Sequence, residues 1–303
     1  MLGTLVWDRI VPAGGAAAIE AWGGMAYAVS SAAASLDPGW AVLPIVKVGA
    51  DLAPEALRYF EGIPRVDGSC VTVVPEPNNR VDLLYRDRAE RTERLSGGVP
   101  SWGWPELEPL VHRCDALLVN FISGQELDLR TCRSLRAAFD GPLFGDLHSL
   151  FLGVEPDGTR VPRPLDDAGA WISCFDVIQL NESEAGLASS SGADPETFAR
   201  DALGADPRTV VVTLGARGAV WATRRGEGEA GARTVTGSVT IRVPRQGDPT
   251  GCGDVWGAAF FARLLAGDAV DVAARFATGF AERNVTHRGA EGLYDILTHE
   301  VSL

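Results

Sequence analysis

Gly247-Asp248-Pro249-Thr250-Gly251-Cys252-Gly253-Asp254 runs directly into Val255-Trp-Gly-Ala-Ala-Phe-Phe-Ala-Arg-Leu-Leu-Ala266, and this stretch decides how the chain is read. The second half spaces Val255, Trp256, Ala259, Phe260 and Leu264 as a buried helix does, with Gly267 as its stop. The first half is a turn that needs glycine, because Gly251 and Gly253 admit backbone angles closed to other residues. Loop and helix start aim several backbone N–H groups one way, with the positive end of the helix dipole behind them. That is an anion site. Asp254 at its edge would repel a bound phosphate. It gains sense if a group beside the phosphate must lose a proton, as a hydroxyl does when it attacks phosphorus. The helix N-terminus is expected to keep Asp254 ionised. The plain alternative is that Asp254 caps the helix. A nucleophilic Cys252 is chemically conceivable there, although no His lies nearby in sequence.

Asp-x-Thr-Gly-x-Gly-Asp before an Ala-rich helix near the C-terminus resembles the signature of the ribokinase-like (PfkB) carbohydrate kinases. Cys252 stands where that family usually has Ala. The resemblance implies an α/β fold of ribokinase-like (Rossmann-like) type: a mostly parallel sheet flanked by helices, with a small β-sheet lid. It implies ATP-dependent transfer of the γ-phosphoryl group to a hydroxyl of a sugar or sugar derivative. Asp254 would be the catalytic base, and the Gly251, Cys252 and Gly253 amides the hole for the transferred group.

Composition bounds the alternatives. A chain of 303 residues, 46% hydrophobic and 22% charged, suffices for one large α/β domain. A net charge of -13 argues against nucleic-acid and anionic-membrane partners, which need clustered basic residues. Cys70, Cys114, Cys132, Cys174 and Cys252 are scattered without a C-x-x-C pair, as in a reduced cytoplasm. No apolar run approaches membrane-spanning length, and the N-terminus reads as a strand rather than an export signal. The expected location is therefore cytoplasmic. Of 27 Lys and Arg residues only Lys47 is lysine, and no Gly-Lys-Ser/Thr occurs. A bound ATP would be held by backbone amides, arginine and metal.

From the start of the chain, Leu2 to Trp7 reads as a strand ending in Asp8, and Trp22-Gly23-Gly24 leads into a small-residue helix to about Leu36. The resemblance places Asp8, Gly23 and Gly24 at the sugar, with Met25 where the family often has Asn. Val42 to Val48 reads as one continuous strand. The following Gly49-Ala50-Asp51 is open between a substrate contact through Asp51 and a helix cap. Val71–Val74 and Val81–Tyr85 read as strands joined by the turn Pro75 to Arg80. Segments of about 9–22 and 66–95 are expected to form the lid, with Arg86, Arg88, Arg91 and Arg94 on a solvated face.

After Pro105, strands Ala116–Phe121, Pro142–Asp146, Phe175–Leu180 and Thr209–Leu214 alternate with helices Glu106–Arg113, Arg130–Phe139 and Pro195–Leu203. That alternation is the pattern of a parallel sheet, whose functional loops collect at the carboxyl ends of its strands. Asn120, Asp146 and His148 stand there, as pocket residues or as ordinary strand-end caps. Asn181-x-x-Glu184 resembles the family's Asn-x-x-Glu, implying magnesium held through water; alone, the pattern is a helix cap. Thr213-Leu-Gly215-Ala-Arg217-Gly218 resembles the family's nucleotide-side turn. Thr213, Gly215, Gly218, Asp248, Thr250 and Ala277 form the implied cofactor side. Arg224–Gly237 reads as a mobile hairpin tip, Thr240–Val243 as a strand and Val270–Asn284 as a helix. At Gly289-Ala290 the resemblance admits a monovalent cation.

The expectation is one kinase domain over 1–303 with a small sugar-like substrate, as a monomer or a homodimer joined through the lid. A nucleoside kinase and a non-catalytic ATP- or sugar-binding relative of the same fold remain open. So does an oxidoreductase, since Gly251-Cys-Gly253-Asp-Val-Trp-Gly257 resembles a relaxed G-x-G-x-x-x-G. Too little chain follows, however, to complete a mononucleotide-binding half.

Overall fold

The structure is a computed structural model and describes residues 1–11, 17–85, 91–189, 192–204, 206–225, 233–241 and 247–299. The chain opens with β1 (Leu2–Gly3), β2 (Leu5–Val11), β3 (Ile19–Gly24), α1 (Met25–Ser35), β4 (Val46–Gly49), α2 (Ala53–Glu61), β5 (Val71–Val74), β6 (Arg80–Tyr85) and β7 (Arg91–Ser96). Its middle holds α3 (Trp104–Val111), β8 (Leu117–Asn120), α4 (Leu129–Ala138), β9 (Leu143–Asp146), β10 (Leu152–Val154), β11 (Arg160–Pro162), α5 (Ala168–Ile172), β12 (Val177–Asn181), α6 (Glu182–Ala188), α7 (Pro195–Asp201) and β13 (Thr209–Thr213). It closes with β14 (Ala219–Arg225), β15 (Arg233–Val239), α8 (Cys252–Leu265), α9 (Val270–Asn284) and α10 (Leu293–Thr298).

The main sheet has the order β1-β8-β9-β12-β13-β14-β15. Its first five strands are parallel and its last two antiparallel. Every residue of β8 and β9 is buried, as is all of β12 before Asn181. Such runs belong to strands covered on both faces. One core packs around α1, α8 and α9, and a second lies on the opposite face under α3, α4 and α5. Residues Val255 to Ala262 of α8 are buried on all sides of the helix, which places it inside rather than on the surface. Ser31 of α1 ties to it by donating to the Val255 carbonyl at 2.7 Å.

The lid is a four-stranded sheet, β3-β2-β6-β7, in which β2 and β6 run parallel. Strand periodicity puts Val6, Asp8 and Ile10 on one face with Val81 and Leu83. The apolar members pack on Ile122 of the main body as a third, smaller core.

Several sequence expectations are corrected here. Asp8 does not end a strand, because β2 continues into the lid to Val11. Val42–Val48 is not one strand: Pro44 lacks an N–H for a ladder, so only Val46–Gly49 pairs, while Val42 and Ile45 form isolated bridges. Val71–Val74 does not pair with β6 but lies parallel to β4, outside the lid. Buried Asn78 redirects the chain between them, accepting from the Gly49 N–H at 3.0 Å and donating to the Leu5 carbonyl at 3.0 Å. The stretch read as a mobile hairpin tip takes in the end of β14 and the start of β15, which pair as an antiparallel hairpin, and Thr240–Ile241 is not a strand. Residues 226–232, 242–246 and 86–90, with Arg86 and Arg88 among them, lie outside the described residues.

Candidate functional site

The carboxyl ends of β8, β9 and β12 converge on the first turn of α8. Gly251 caps that helix in the left-handed region, φ 75°, and a Cβ there would sit 2.3 Å from the ring of Tyr27. Glycine is therefore required both by angle and by the close approach of α1. Asp248 folds the loop by accepting from the Thr250 N–H at 2.9 Å and its hydroxyl at 2.6 Å. The Asp248 N–H docks the loop on the Val285 carbonyl at 3.0 Å. First-turn amides of a helix lack intrahelical acceptors. The Cys252 N–H turns instead to the Pro249 carbonyl at 3.1 Å, which removes it from the set of three amides read from the sequence. Gly251, Gly253 and Asp254 line the cleft.

Asp254 is half-buried, and its Oδ1 accepts from Asn120 Nδ2 at 2.8 Å. Asp146 lies deeper, at 5% exposure, and its Oδ2 accepts from Gln179 Nε2 at 3.0 Å. The same Gln179 amide donates to the Gly253 carbonyl at 3.0 Å, joining β12 to the α8 turn. Glu184 closes a capping box: its Oε2 accepts from the Asn181 N–H at 2.7 Å, and the Asn181 Oδ1 accepts from the Glu184 N–H at 3.0 Å. Glu184 Oε1 also meets Asn181 Nδ2 and His148 Nδ1.

Asp146 and Asp254 lie close enough for their charges to interact. Burial pushes Asp146 up to about 8, with neighbouring Asp254 adding to the effect. Burial also raises Asp254, opposed by the Asn120 hydrogen bond and by His148. Burial thus works against the helix N-terminus, which is expected from the sequence to keep Asp254 ionised. Burial disfavours the His148 imidazolium, but contact with Glu184 and the charges of Asp146 and Asp254 outweigh it, and its pKa rises to about 9. Burial raises the Cys252 thiol to about 11, which leaves it a poor nucleophile at neutral pH.

The cleft of about 310 Å³ extends from this turn toward the lid, where Asp8, Tyr27, Glu93 and Arg160 join its lining. Gly23 has no side chain because a Cβ would lie 1.8 Å from the Asp8 carboxylate. Gly24, at φ 56°, lines the cleft. Asp51 is elsewhere: it accepts from the Asn78 N–H and pairs with Arg80, each at 2.8 Å, and is absent from the cleft lining.

On the other side of the turn, a mainly apolar cavity of about 310 Å³ is lined by Thr213, Gly215, Gly218, Trp256, Ala281 and Val285 among others. Ala277 is not one of them. It is fully buried between helices, because α9 turns Thr278, Ala281 and Glu282 to the cavity and Ala274 and Ala277 to the core. Gly218, φ 99°, serves packing, since a Cβ would meet the Val239 carbonyl at 1.9 Å. Arg217 pairs with Glu182.

Sequence reasoning missed Tyr27, Glu93, Arg160, Gln179 and Glu126. Gln179 alone carried a signal, as an amide within the apolar run Val-Ile-Gln-Leu. Among the described residues no group of three or more His, Cys, Asp and Glu side chains is disposed to hold a metal. None of the described helices is long and apolar enough to cross a membrane.

No curated protein sequence matches this chain significantly. Among solved structures it is similar to a pyrophosphate-dependent kinase in the ribokinase family, with TM-score 0.76 and 17% identity over 95% of each chain. It is similar to ribokinase from Cryptococcus neoformans in complex with ADP, with TM-score 0.70 and 17% identity over 96% of this chain and 94% of that one. It is also similar to the nucleoside kinase of Burkholderia thailandensis in complex with inosine, with TM-score 0.73 and 17% identity over 96% and 92%. At such identities the likeness is one of fold. The NAD reading loses its premise, for the strand described before the α8 turn is the antiparallel edge strand β15 rather than the start of a βαβ unit. The model of the pfkB family carbohydrate kinases matches residues 156–296, and the chain as a whole has the ribokinase-like fold of that family's kinases.

Proposed function

We propose that this protein is a small-molecule kinase that transfers the γ-phosphoryl group of ATP to a hydroxyl of a sugar-like acceptor. One observation carries the reading: the first turn of α8 borders two cavities, with Asp254 lining the one under the lid among polar groups, and Cys252 and Gly253 lining that cleft and a mainly apolar cavity as well. A hydroxyl presented from the lid side meets the carboxylate. Phosphates presented from the other side meet the α8 N-terminus, whose dipole and amides favour anions.

In this mechanism Asp254 accepts the proton of the attacking hydroxyl, and Asn120 holds its carboxylate in place. The Gly251 and Gly253 amides and His148 face the charge on the transferred group. The lid keeps water from the reacting atoms. The Asn181–Glu184 pair fits magnesium only as a hydrated ion. Both residues line the cleft, but their oxygens already accept hydrogen bonds, so contact through water suits them better than direct ligation. When bound, such an ion supplies neutralisation of phosphate charge.

The similarity to a pyrophosphate-dependent kinase makes the donor a real question. A cavity lined by Ala281, Val285, Ile241 and Trp256 favours a nucleotide, because pyrophosphate has nothing to place there. Replacing Asp254→Asn should lower kcat by roughly 10²–10⁴-fold, the usual contribution of a general base, with ATP binding retained. Turnover of the variant at the wild-type rate would disprove the role.

A further inference from the structure

On the inner face of the lid, among the side chains described, two carboxylates interrupt an apolar surface. Val6, Val81 and Leu83 share that face with Asp8, and the register Leu83↔Glu93 brings Glu93 onto it from β7. A carboxylate on such a face requires a reason. Opposite it comes Arg160, from the β10–β11 hairpin of the main body. This hairpin reaches the lid edge, where the Leu95 N–H donates to the Gly158 carbonyl at 2.8 Å. Arg160 Nη2 donates to the Ile122 carbonyl at 2.9 Å, and Nη1 lies 3.8 Å from Glu93 Oε2. The side chains are only 4% and 17% exposed, and both line the cleft.

Resting on the kinase reading above, we propose that Arg160 and Glu93 select the acceptor: an uncharged polyol, in preference to a sugar acid or sugar phosphate. A carboxylate beside a guanidinium matches adjacent hydroxyls, accepting an O–H from one and donating to the oxygen of the other. Asp8 adds a second acceptor on the same wall. Arg160 does not offer a free positive site to an anion, because Glu93 faces it and Ile122 holds it. An anionic acceptor would bring its charge against Glu93, Asp8 and Asp254 together. Arg94, on the same strand as Glu93, donates to the Asp157 carbonyl instead.

The test uses the full chain with myo-inositol, ribose and adenosine against gluconate and ribose 5-phosphate. Wild type should prefer an uncharged acceptor by roughly 10²-fold or more in kcat/KM, since a site rejects the group that leaves its buried charges opposed. Glu93→Gln should reduce the discrimination against the anions by about tenfold or more. Arg160→Met should raise the acceptor KM about tenfold or more and leave the KM for ATP unchanged. Near-isosteric Glu93→Gln carries the test if the arginine variant fails to fold. Preference of the wild type for an anion, or an unchanged ratio in Glu93→Gln, overturns the assignment. Calorimetric binding of the same acceptors without a donor separates the two readings. A polyol that binds and is never phosphorylated supports the pair and overturns the kinase. Tighter binding of the acid or phosphate overturns the pair, whatever the turnover.

Discussion

Glu126 is 3% exposed and accepts five hydrogen bonds: Thr4 Oγ1 at 2.7 Å, the Ile122 N–H at 2.9 Å, the Ser123 N–H at 2.6 Å, Ser123 Oγ at 2.9 Å and the Gly124 N–H at 3.0 Å. One carboxylate thus gathers the whole turn that follows Asn120 and ties it to the start of β2. Glu126→Gln keeps the shape but removes the charge, and it presents an NH2 where only acceptors fit. A hydrogen bond to a charged group is worth about 1.5–3 kcal/mol and a neutral one about 0.5–1.5, a difference near 1 kcal/mol per bond. Neighbouring bonds do not add fully, so the expected loss is about 2–4 kcal/mol rather than five such differences. The assay is urea unfolding, where the midpoint should fall with the slope unchanged. Because the turn sets Asn120, kcat should fall as well under conditions where the variant is folded. A change within about 0.5 kcal/mol, the range of an indifferent surface substitution, would refute the claim that this carboxylate organises the turn.

Asn120→Ala removes the hydrogen bond that favours ionised Asp254. The base then holds its proton to higher pH, so the acid limb of kcat/KM should move upward; an unmoved limb, or one shifted to lower pH, would contradict the arrangement. Ala281→Trp fills the apolar cavity and should raise the KM for ATP by about tenfold or more without altering acceptor binding, whereas equal effects on both would place the nucleotide elsewhere. Gly251→Ala forces a φ of 75° on a residue with a Cβ and drives that atom toward Tyr27. The angle alone costs about 1–2 kcal/mol, so both melting temperature and kcat should drop, and wild-type values for both would show the turn to be adaptable.

Legibility followed the range of the forces involved. The parallel sheet was readable because β8, β12 and β13 are apolar runs that need no partner to be recognised. Asp194 capping α7 and Asp128 capping α4 act on residues two or three positions away, so those helices were placed within a turn. The lid was harder. Whether Val71–Val74 joins β4 or β6 depends on Asn78, whose partners Gly49 and Leu5 are distant in sequence. In the same way, Ala277 and Ala281 both look like small residues on a helix, and only the packing of α9 against α8 decides which one faces the cavity.

Asp254 shows where local reading fails at the site itself. In sequence its nearest influence is the helix start, and a helix dipole favours a carboxylate by about 0.3–1 kcal/mol. In the fold Asp146 arrives from β9, Glu184 from α6 and Asn120 from β8, and the carboxylate sits half-buried among them. Loss of water then outweighs the dipole, since desolvation alone moves carboxyl groups further than a single helix end does. The raised proton affinity has a chemical use. A carboxylate of ordinary pKa is a weak acceptor for a hydroxyl proton, and a raised proton affinity makes it a stronger base. Asn120 and His148 supply the opposing pull that limits the rise. Burial pushes the deeper Asp146 up to about 8, and the charge of Asp254 at the mouth of the cleft adds to that rise.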